Sequence, residues 1–522
     1  MGVYLNPRND AFLESVNSEI YIDKTKLILY TNSVLGTEQK FICVSRPRRF
    51  GKSMTAKMLA AYYCKECDSS ALFCNLQIAE DESYQKHLNQ YDVIFFNVQD
   101  FLSAVSNPEQ LVDQIESKLL RDLQKVYGDR IDFTTESLLD VLQEIYADEG
   151  TAFVFIIDEW DCVFREKKNN IDTQTKYLDF LRMLLKDKAY VKLAYMTGIL
   201  PIKKYGTHSA LNMFDEFSMT DQRNLSKFTG FTENEVRGKC EEYAMNFEEM
   251  KCWYDGYWSG KESLYNPKSV VDALRTKKIK NYWSQTETYE ALQVYIEMNF
   301  DGLKDAIVLM LGGAGVQINS GTFNNDMMTF RSKDDVLTLL VHLGYLTYNT
   351  ETREVFIPNE EVRGEFYNAI STTKWDEVLR AIHASDTLLQ KTWELDEKAV
   401  AECIDAVHMD LTSILSYNNE NSLSCVISMA YYSARTDYTM IRELPTGKGF
   451  ADLVFLPRKH SDKPAMIVEL KWDQSAQTAI SQIKDKQYVN ALDNYFGEIL
   501  LVGVNYNKES KEHQCVIEKY HK

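Results

Sequence analysis

Phe41-Ile-Cys-Val-Ser-Arg-Pro-Arg-Arg-Phe-Gly-Lys-Ser53 decides how the rest of the chain is read. Its first five residues are mostly apolar and read as a buried strand, and Gly51-Lys52-Ser53 stands where that strand turns into a helix. This is the second half of a phosphate-binding loop, in which backbone N–H groups and the helix N-terminus surround a β-phosphate. Lys52 would neutralise the β- and γ-phosphates of ATP, and the Ser53 hydroxyl would hold Mg²⁺. One position departs from the pattern, since Arg46 stands where the motif has its first Gly. Taken alone, a Gly-Lys-Ser tripeptide reads most readily as a surface turn. Its weight comes from Phe153-Val-Phe-Ile-Ile157, an apolar strand about a hundred residues later that ends in Asp158-Glu159. There Asp158 would orient Mg²⁺ through water, and Glu159 would polarise the attacking water.

Val93-Ile-Phe-Phe-Asn97 and Val191-Lys-Leu-Ala-Tyr195 read as two further strands. Runs that are apolar at nearly every position belong in a parallel sheet covered by helices on both faces, so the first half is α/β. Asn107-Pro108 predicts a cap and first turn, followed by a helix with Leu111, Val112, Ile115, Leu119, Leu120 and Leu123 on one face. Thr197 follows the fourth strand, where it either touches the γ-phosphate or water as a sensor or simply ends the strand. Arg46, Arg48 and Arg49 either supply a transition-state cation or form a solvated rim.

The 522 residues are 45% hydrophobic, which excludes disordered, collagenous and disulfide-stapled classes and leaves room for two to four cores. With 58 Lys and Arg against 77 Asp and Glu, the net charge of −19 argues against coating nucleic acid by bulk charge. From Leu411 onward there are thirteen of each sign, so the excess lies before that point and the neutral end approaches a phosphate backbone at lower cost. Ten scattered Cys and a start without a basic or apolar targeting pattern read as a protein of the reducing cytoplasm. No stretch approaches the roughly 18 apolar residues of a membrane span. Asn6 stands where a myristoylation pattern needs Ser or Thr.

From about residue 240 the chain is aromatic-rich and mostly helical. Asp334 to Leu343 predicts a helix, followed by Tyr345-Leu-Thr-Tyr348 and Val355-Phe-Ile357 as a hairpin. That is how a winged helix begins, and equally an ordinary helix and hairpin. The final part returns to strands, with Asp452 opening one and Glu469-Leu-Lys471 ending the next, and sixteen residues between Asp452 and Glu469. Two carboxylates bind Mg²⁺ that stabilises charge on a phosphodiester, while a neighbouring Lys positions or deprotonates the water. Glu469 and Lys471 are two apart and share one side of a strand. An exposed ion pair is the plainer reading of that spacing. Cys64, Cys67 and Cys74 lack a fourth zinc ligand, His208 reads as a loop residue, and Trp253, Tyr254 and Tyr257 read as core.

Arg46-Pro-Arg-Arg-Phe-Gly-Lys-Ser53, Tyr21-Ile-Asp-Lys-Thr25, Ile157-Asp-Glu-Trp-Asp161, Thr197-Gly-Ile-Leu-Pro201 and Trp253-Tyr-Asp-Gly-Tyr257 with Tyr265-Asn-Pro267 together resemble the AAA-ATPase-like proteins of bacteria. The resemblance spans essentially the whole chain. It implies a P-loop NTPase sheet of the additional-strand type at 1–240, a helical lid and winged-helix-like region at 241–410, and a restriction-endonuclease-like PD-(D/E)XK domain at 411–522. Within that last fold, Glu420 looks like an additional metal-binding acid, and Gln482 with Tyr488 like a supporting motif. The expectation is an ATP- and Mg²⁺-dependent ATPase coupled to a nuclease-like domain acting on DNA. The alternative is a nucleotide-controlled scaffold whose nuclease-like domain does not cut. Expected partners are ATP, DNA and further copies of the chain, with no membrane.

Overall fold

The computed structural model describes residues 2–131, 133, 137–202, 211–221, 223–259, 262–285, 289–298, 300–325, 327–373, 375–411, 420–445, 449–458, 461–492, 495 and 497–520. It forms two compact units, one from Met1–Tyr282 with Gln317–Pro358 and the other from Trp283–Val316 with Asn359–Lys522. Among the described residues no helix is long and apolar enough to cross a membrane.

The first unit is built on β1 (Phe41–Ser45), β2 (Asp92–Asn97), β3 (Phe153–Asp158), β4 (Val191–Gly198) and β5 (Asp215–Phe217), all parallel, in the order β2-β3-β4-β1-β5. Alternate residues feed two cores. Cys43, Phe155 and Ile157 pack on one face with Ile115, Leu119 and Leu181, while Ile42, Val44 and Ile156 pack on the other with Leu59 and Tyr63. That two-sided burial is why these strands carry no polar face. The Asn107 side chain accepts from the Glu109 N–H and caps a single 3₁₀ turn, Pro108–Gln110, ahead of the helix Leu111–Tyr127. Five of the six expected apolar positions are buried there, and Leu120 only partly.

β4 lies between β1 and β3, so this is the additional-strand arrangement of a P-loop sheet. It aligns four strand ends, with Ser45 beside Gly198 and Asn97 beside Asp158. The helix Lys333–Leu343 and the hairpin Thr347–Asn349 with Glu354–Phe356 also belong to this unit. Of residues 241–410, 241–282 and 317–358 lie in the first unit and the rest in the second.

The second unit contains a mixed sheet of β6 (Tyr438–Pro445), β7 (Phe450–Pro457), β8 (Ala465–Trp472), β9 (Ile499–Asn507) and β10 (Glu512–Tyr520) in sequential order. Only β8 and β9 are parallel, and the helix Ala476–Asp485 makes the crossover between them. A Cβ on Gly503 would lie 2.3 Å from the Ala476 carbonyl oxygen, so glycine lets that helix rest on β9. The β7–β8 ladder runs from Phe455–Met466 to Leu453–Val468 and stops there, which opens a split beside Asp452 and Glu469.

Candidate functional site

β1 leaves the sheet at Arg46, whose N–H donates to the Gly198 carbonyl at 3.0 Å. The Arg46 side chain is fully buried. Its guanidinium donates to Thr229 Oγ1 (3.1 Å) and to the carbonyls of Ser45 (2.9 Å) and Phe217 (3.0 Å), and burial lowers its pKa to about 10. Arg46, read from the sequence as a rim residue or transition-state cation, is instead an internal brace between β1, β5 and the segment before Gly230. Arg48 and Arg49 are exposed and line the cleft. Phe50 anchors the loop from below, its ring 4.9 Å from Tyr257 in an edge-on contact and its carbonyl accepting from Gly230 N–H. Gly51 has φ +87°, the left-handed conformation that starts the helix Lys52–Tyr63.

A cleft of about 970 Å³ opens over this turn. Gly51, Lys52 and Ser53 line it together with Glu159, Arg165, Asn97 and Gln99. Ile20, Ile22, Phe231 and Val271 give the cleft an apolar side. Val271 belongs to the helix Pro267–Thr276, which is capped by Asn266 and started by Pro267. The Tyr254 hydroxyl donates to the Lys280 carbonyl (2.7 Å) and that of Tyr257 to the Gly344 carbonyl (3.0 Å), so these two rings support the fold as expected.

Lys52 is 4% exposed and its ammonium donates to the Pro47 carbonyl at 2.9 Å. Burial lowers its pKa, and Glu159, Asp161 and Asp158 act against that shift. Asp158 accepts from the Thr197 hydroxyl, from the Glu159 N–H (3.1 Å) and from Asn97 Nδ2 (3.3 Å). Thr197 is buried and aims at Asp158, so any action on a nucleotide passes through that carboxylate. Glu159 has φ +52°, and its carboxylate pairs with Arg165. Burial raises the Glu159 pKa, and the Lys52 and Arg165 charges restrain the rise.

A second cluster occupies the split between β7 and β8. Asp452 Oδ2 accepts from the Leu470 N–H (2.7 Å), and Glu469 Oε1 accepts from Lys471 Nζ (3.1 Å) and from Gln482 Nε2. The Gln482 amide also donates to the Tyr488 hydroxyl at 3.1 Å, so the helix after β8 braces the cluster. Glu469 Oε2 is buried with no partner. Burial first and Asp452 second raise the Glu469 pKa to about 7, outweighing Lys471. Among the described residues no group of three or more ligating side chains is assembled. Two carboxylates, one of them with an orphaned oxygen, still fit Mg²⁺, which takes one or two carboxylates and fills its shell with water and phosphate oxygens. Glu420 begins the helix Glu420–Ala430, but its side chain lies outside the described residues, as does His208.

Residues 14–207 match a family model described as a predicted AAA-ATPase, and residues 418–515 match the PD-(D/E)XK nuclease superfamily. The chain therefore carries an AAA-ATPase-like domain and a PD-(D/E)XK nuclease-superfamily domain. An uncharacterized protein in the vnfD 5′ region of Azotobacter chroococcum is 23% identical over 527 residues, which cover 94% of this chain and 93% of that protein. Two solved structures from Aeropyrum pernix also match. The ORC2 protein in ADPNP–ADP complexes is 12% identical with a TM-score of 0.30, covering 68% of this chain and 96% of that one. The ORC1 protein in complex with DNA is 12% identical with a TM-score of 0.24, covering 71% and 97%.

In the AAA-ATPase-like domain, the structure adds Asn97, Asp161 and Arg165 to the residues that sequence reasoning placed at the site. Asn97 had a signal, because it ends an apolar strand as Asp158 does. Arg165 had only its spacing, one helical turn beyond Asp161, which is common to many surface ion pairs.

Proposed function

We propose that the N-terminal unit binds and hydrolyses ATP and that the C-terminal domain cleaves DNA, both with Mg²⁺. The observation that carries the reading is that Lys52 and Glu159, from segments about a hundred residues apart, line one cleft large enough for a nucleotide. The triphosphate lies against the backbone N–H groups leading into the helix at Lys52, and the base end lies toward the apolar side near Val271. Lys52 neutralises phosphate oxygens. Ser53 and Asp158 would hold Mg²⁺, which supplies charge neutralisation at the phosphates. Asn97 and Thr197 fix the Asp158 carboxylate by hydrogen bonds. Glu159, held by Arg165, orients and polarises the attacking water.

At the second centre, Asp452 and Glu469 would hold Mg²⁺, with Glu420 as a further acid. Lys471 positions or deprotonates the hydrolytic water. Gln482 and Tyr488 hold Glu469 in place.

Purified full-length protein tests both halves in one preparation. Wild type should release phosphate from ATP and nick plasmid with Mg²⁺, Lys52→Ala should lose the first activity, and Glu469→Ala the second. Phosphate release unchanged in Lys52→Ala would remove the ATPase assignment. Plasmid cleavage unchanged in Glu469→Ala would remove the nuclease assignment.

A further inference from the structure

Three acids, Asp158, Glu159 and Asp161, lie within four residues, and one cation reaches two of them. Arg165 lies on the short helix Cys162–Glu166, with its side chain 7% exposed. Its Nε donates to Asp161 Oδ2 at 3.0 Å, and its Nη2 pairs with Glu159. Asp161 is fully buried, and the same Oδ2 accepts the Leu200 N–H at 2.8 Å. Two residues on, the Ile202 carbonyl accepts from Asn325 Nδ2 at 2.6 Å, and the Ile202 N–H donates to Glu216 at 2.9 Å. Asn325 is buried and precedes the helix Lys333–Leu343 with its hairpin. Every step from Asn325 through Ile202, Leu200, Asp161 and Arg165 to Glu159 is therefore a hydrogen bond, an ion pair or a short covalent stretch of backbone inside the first unit.

We infer that Arg165 is the positioning residue for Glu159, and that it passes the state of the Leu200–Ile202 segment, clamped by Asn325 of the helix-and-hairpin region, to ATP hydrolysis. This rests on Glu159 polarising the water, as proposed above. The planar guanidinium suits the task because one fork spans two carboxylates in fixed directions, which a lysine ammonium cannot do. Glu159 needs such a restraint, since its φ of +52° places a long side chain on a backbone that non-glycine residues rarely adopt. With Arg165 fixed by Asp161, the Glu159 carboxylate has one orientation. If Leu200 moves, Asp161 loses a donor, Arg165 loses its anchor and the orientation is released. A partner that displaces the Asn325 contact would thereby slow turnover without touching the nucleotide.

The test measures steady-state ATP hydrolysis and equilibrium ATP binding on the full chain for wild type, Arg165→Lys, Arg165→Ala and Asn325→Ala. Arg165→Lys keeps the charge and loses the span, and should lower kcat about tenfold, with Arg165→Ala lower still at about a hundredfold. ATP affinity should change much less than kcat in both. Asn325→Ala, remote from the cleft, should lower kcat by about 2- to 30-fold with ATP affinity retained, the range expected for a residue that couples sites without contacting ligand. Thermal unfolding separates this from simple instability, because the lost kcat must persist per folded molecule well below the melting transition. Wild-type kcat in both Arg165→Lys and Asn325→Ala overturns the inference while leaving the ATPase assignment standing. Absence of hydrolysis by wild type overturns both.

Discussion

At the end of β3 the two carboxylates are consecutive residues, whereas near the end of β8 the carboxylate and the lysine are two apart. Consecutive residues on a strand point to opposite sides, so Asp158 and Glu159 could not serve one cleft on a regular backbone. The structure uses the two differently: a left-handed turn at Glu159 brings its carboxylate into the cleft beside Arg165, while Asp158 stays buried, bonded to Thr197 and Asn97, and does not line it. Glu469 and Lys471 need no such device, because alternation already puts them on one side and the 3.1 Å contact forms within the strand. The charge balance differs too. Burial raises both carboxylates: Lys52 and Arg165 restrain the rise at Glu159, while at Glu469 burial and Asp452 outweigh Lys471 and bring it to about 7. The first centre holds its own counter-charges before any ligand arrives, and the second keeps an unpartnered oxygen that fits a cation.

Removing the lysine breaks the comparison most severely. Lys471→Ala should lower Mg²⁺-dependent plasmid cleavage by about 10²–10⁴, the usual worth of a group that moves or positions a proton. Cleavage at the wild-type rate would reduce the Glu469–Lys471 pair to a structural contact. Gly198→Ala addresses the backbone device beneath the first centre. A Cβ there would lie 2.6 Å from Trp160 Nε1 and 2.7 Å from Asp161 Oδ1, in a buried region with nowhere to move. The expected cost is about 1–3 kcal/mol, read as a lowered midpoint in denaturant, and an unchanged midpoint would mean that the strand ends are less tightly packed than described.

A smaller effect sharpens the contrast in the second unit. His408 packs 5.3 Å from Tyr506 and 5.4 Å from His513, which in turn hydrogen-bonds Asp405. Burial first, then His513, lower the His408 pKa to about 4. The folded state therefore favours the neutral ring. Its contribution to stability is complete above the unfolded value of about 6.5 and is lost as pH falls toward about 4. Thermal melts across that window should show the second unit weakening with acid, by about 2–4 °C for each kcal/mol lost in a unit of this size. The slope should flatten in His408→Phe, and the same slope in that variant would assign it to other groups.

The sheet of the first unit and both acidic strand ends were legible because each rests on a local signal. Apolar runs that end abruptly in Gly-Lys-Ser, Asp-Glu or Glu-x-Lys mark both the element and its functional edge. Strand order was not in those runs, since it depends on how crossovers pack. β5, three residues long and without periodicity, and β10, nine residues at the chain's end, were missed. The helix Ala476–Asp485 and the 3₁₀ segment Tyr488–Leu492 are separated by Gln487 at φ +53°, a break that apolar spacing does not announce. Arg46 and Arg165 show the harder limit. Both are arginines near acidic or phosphate-binding motifs, yet one is an internal brace and the other lines the cleft, because burial is decided by which strand end lies alongside.

The central claim is that Lys52 and the acidic pair after Ile157 enclose a hydrolysable triphosphate. Equilibrium ATP binding and phosphate release, measured side by side for wild type and Glu159→Gln, test it most directly. The account predicts that Glu159→Gln still binds ATP while turnover falls by about 10²–10⁴. Equal turnover in the two proteins, or no ATP binding by wild type, would contradict it.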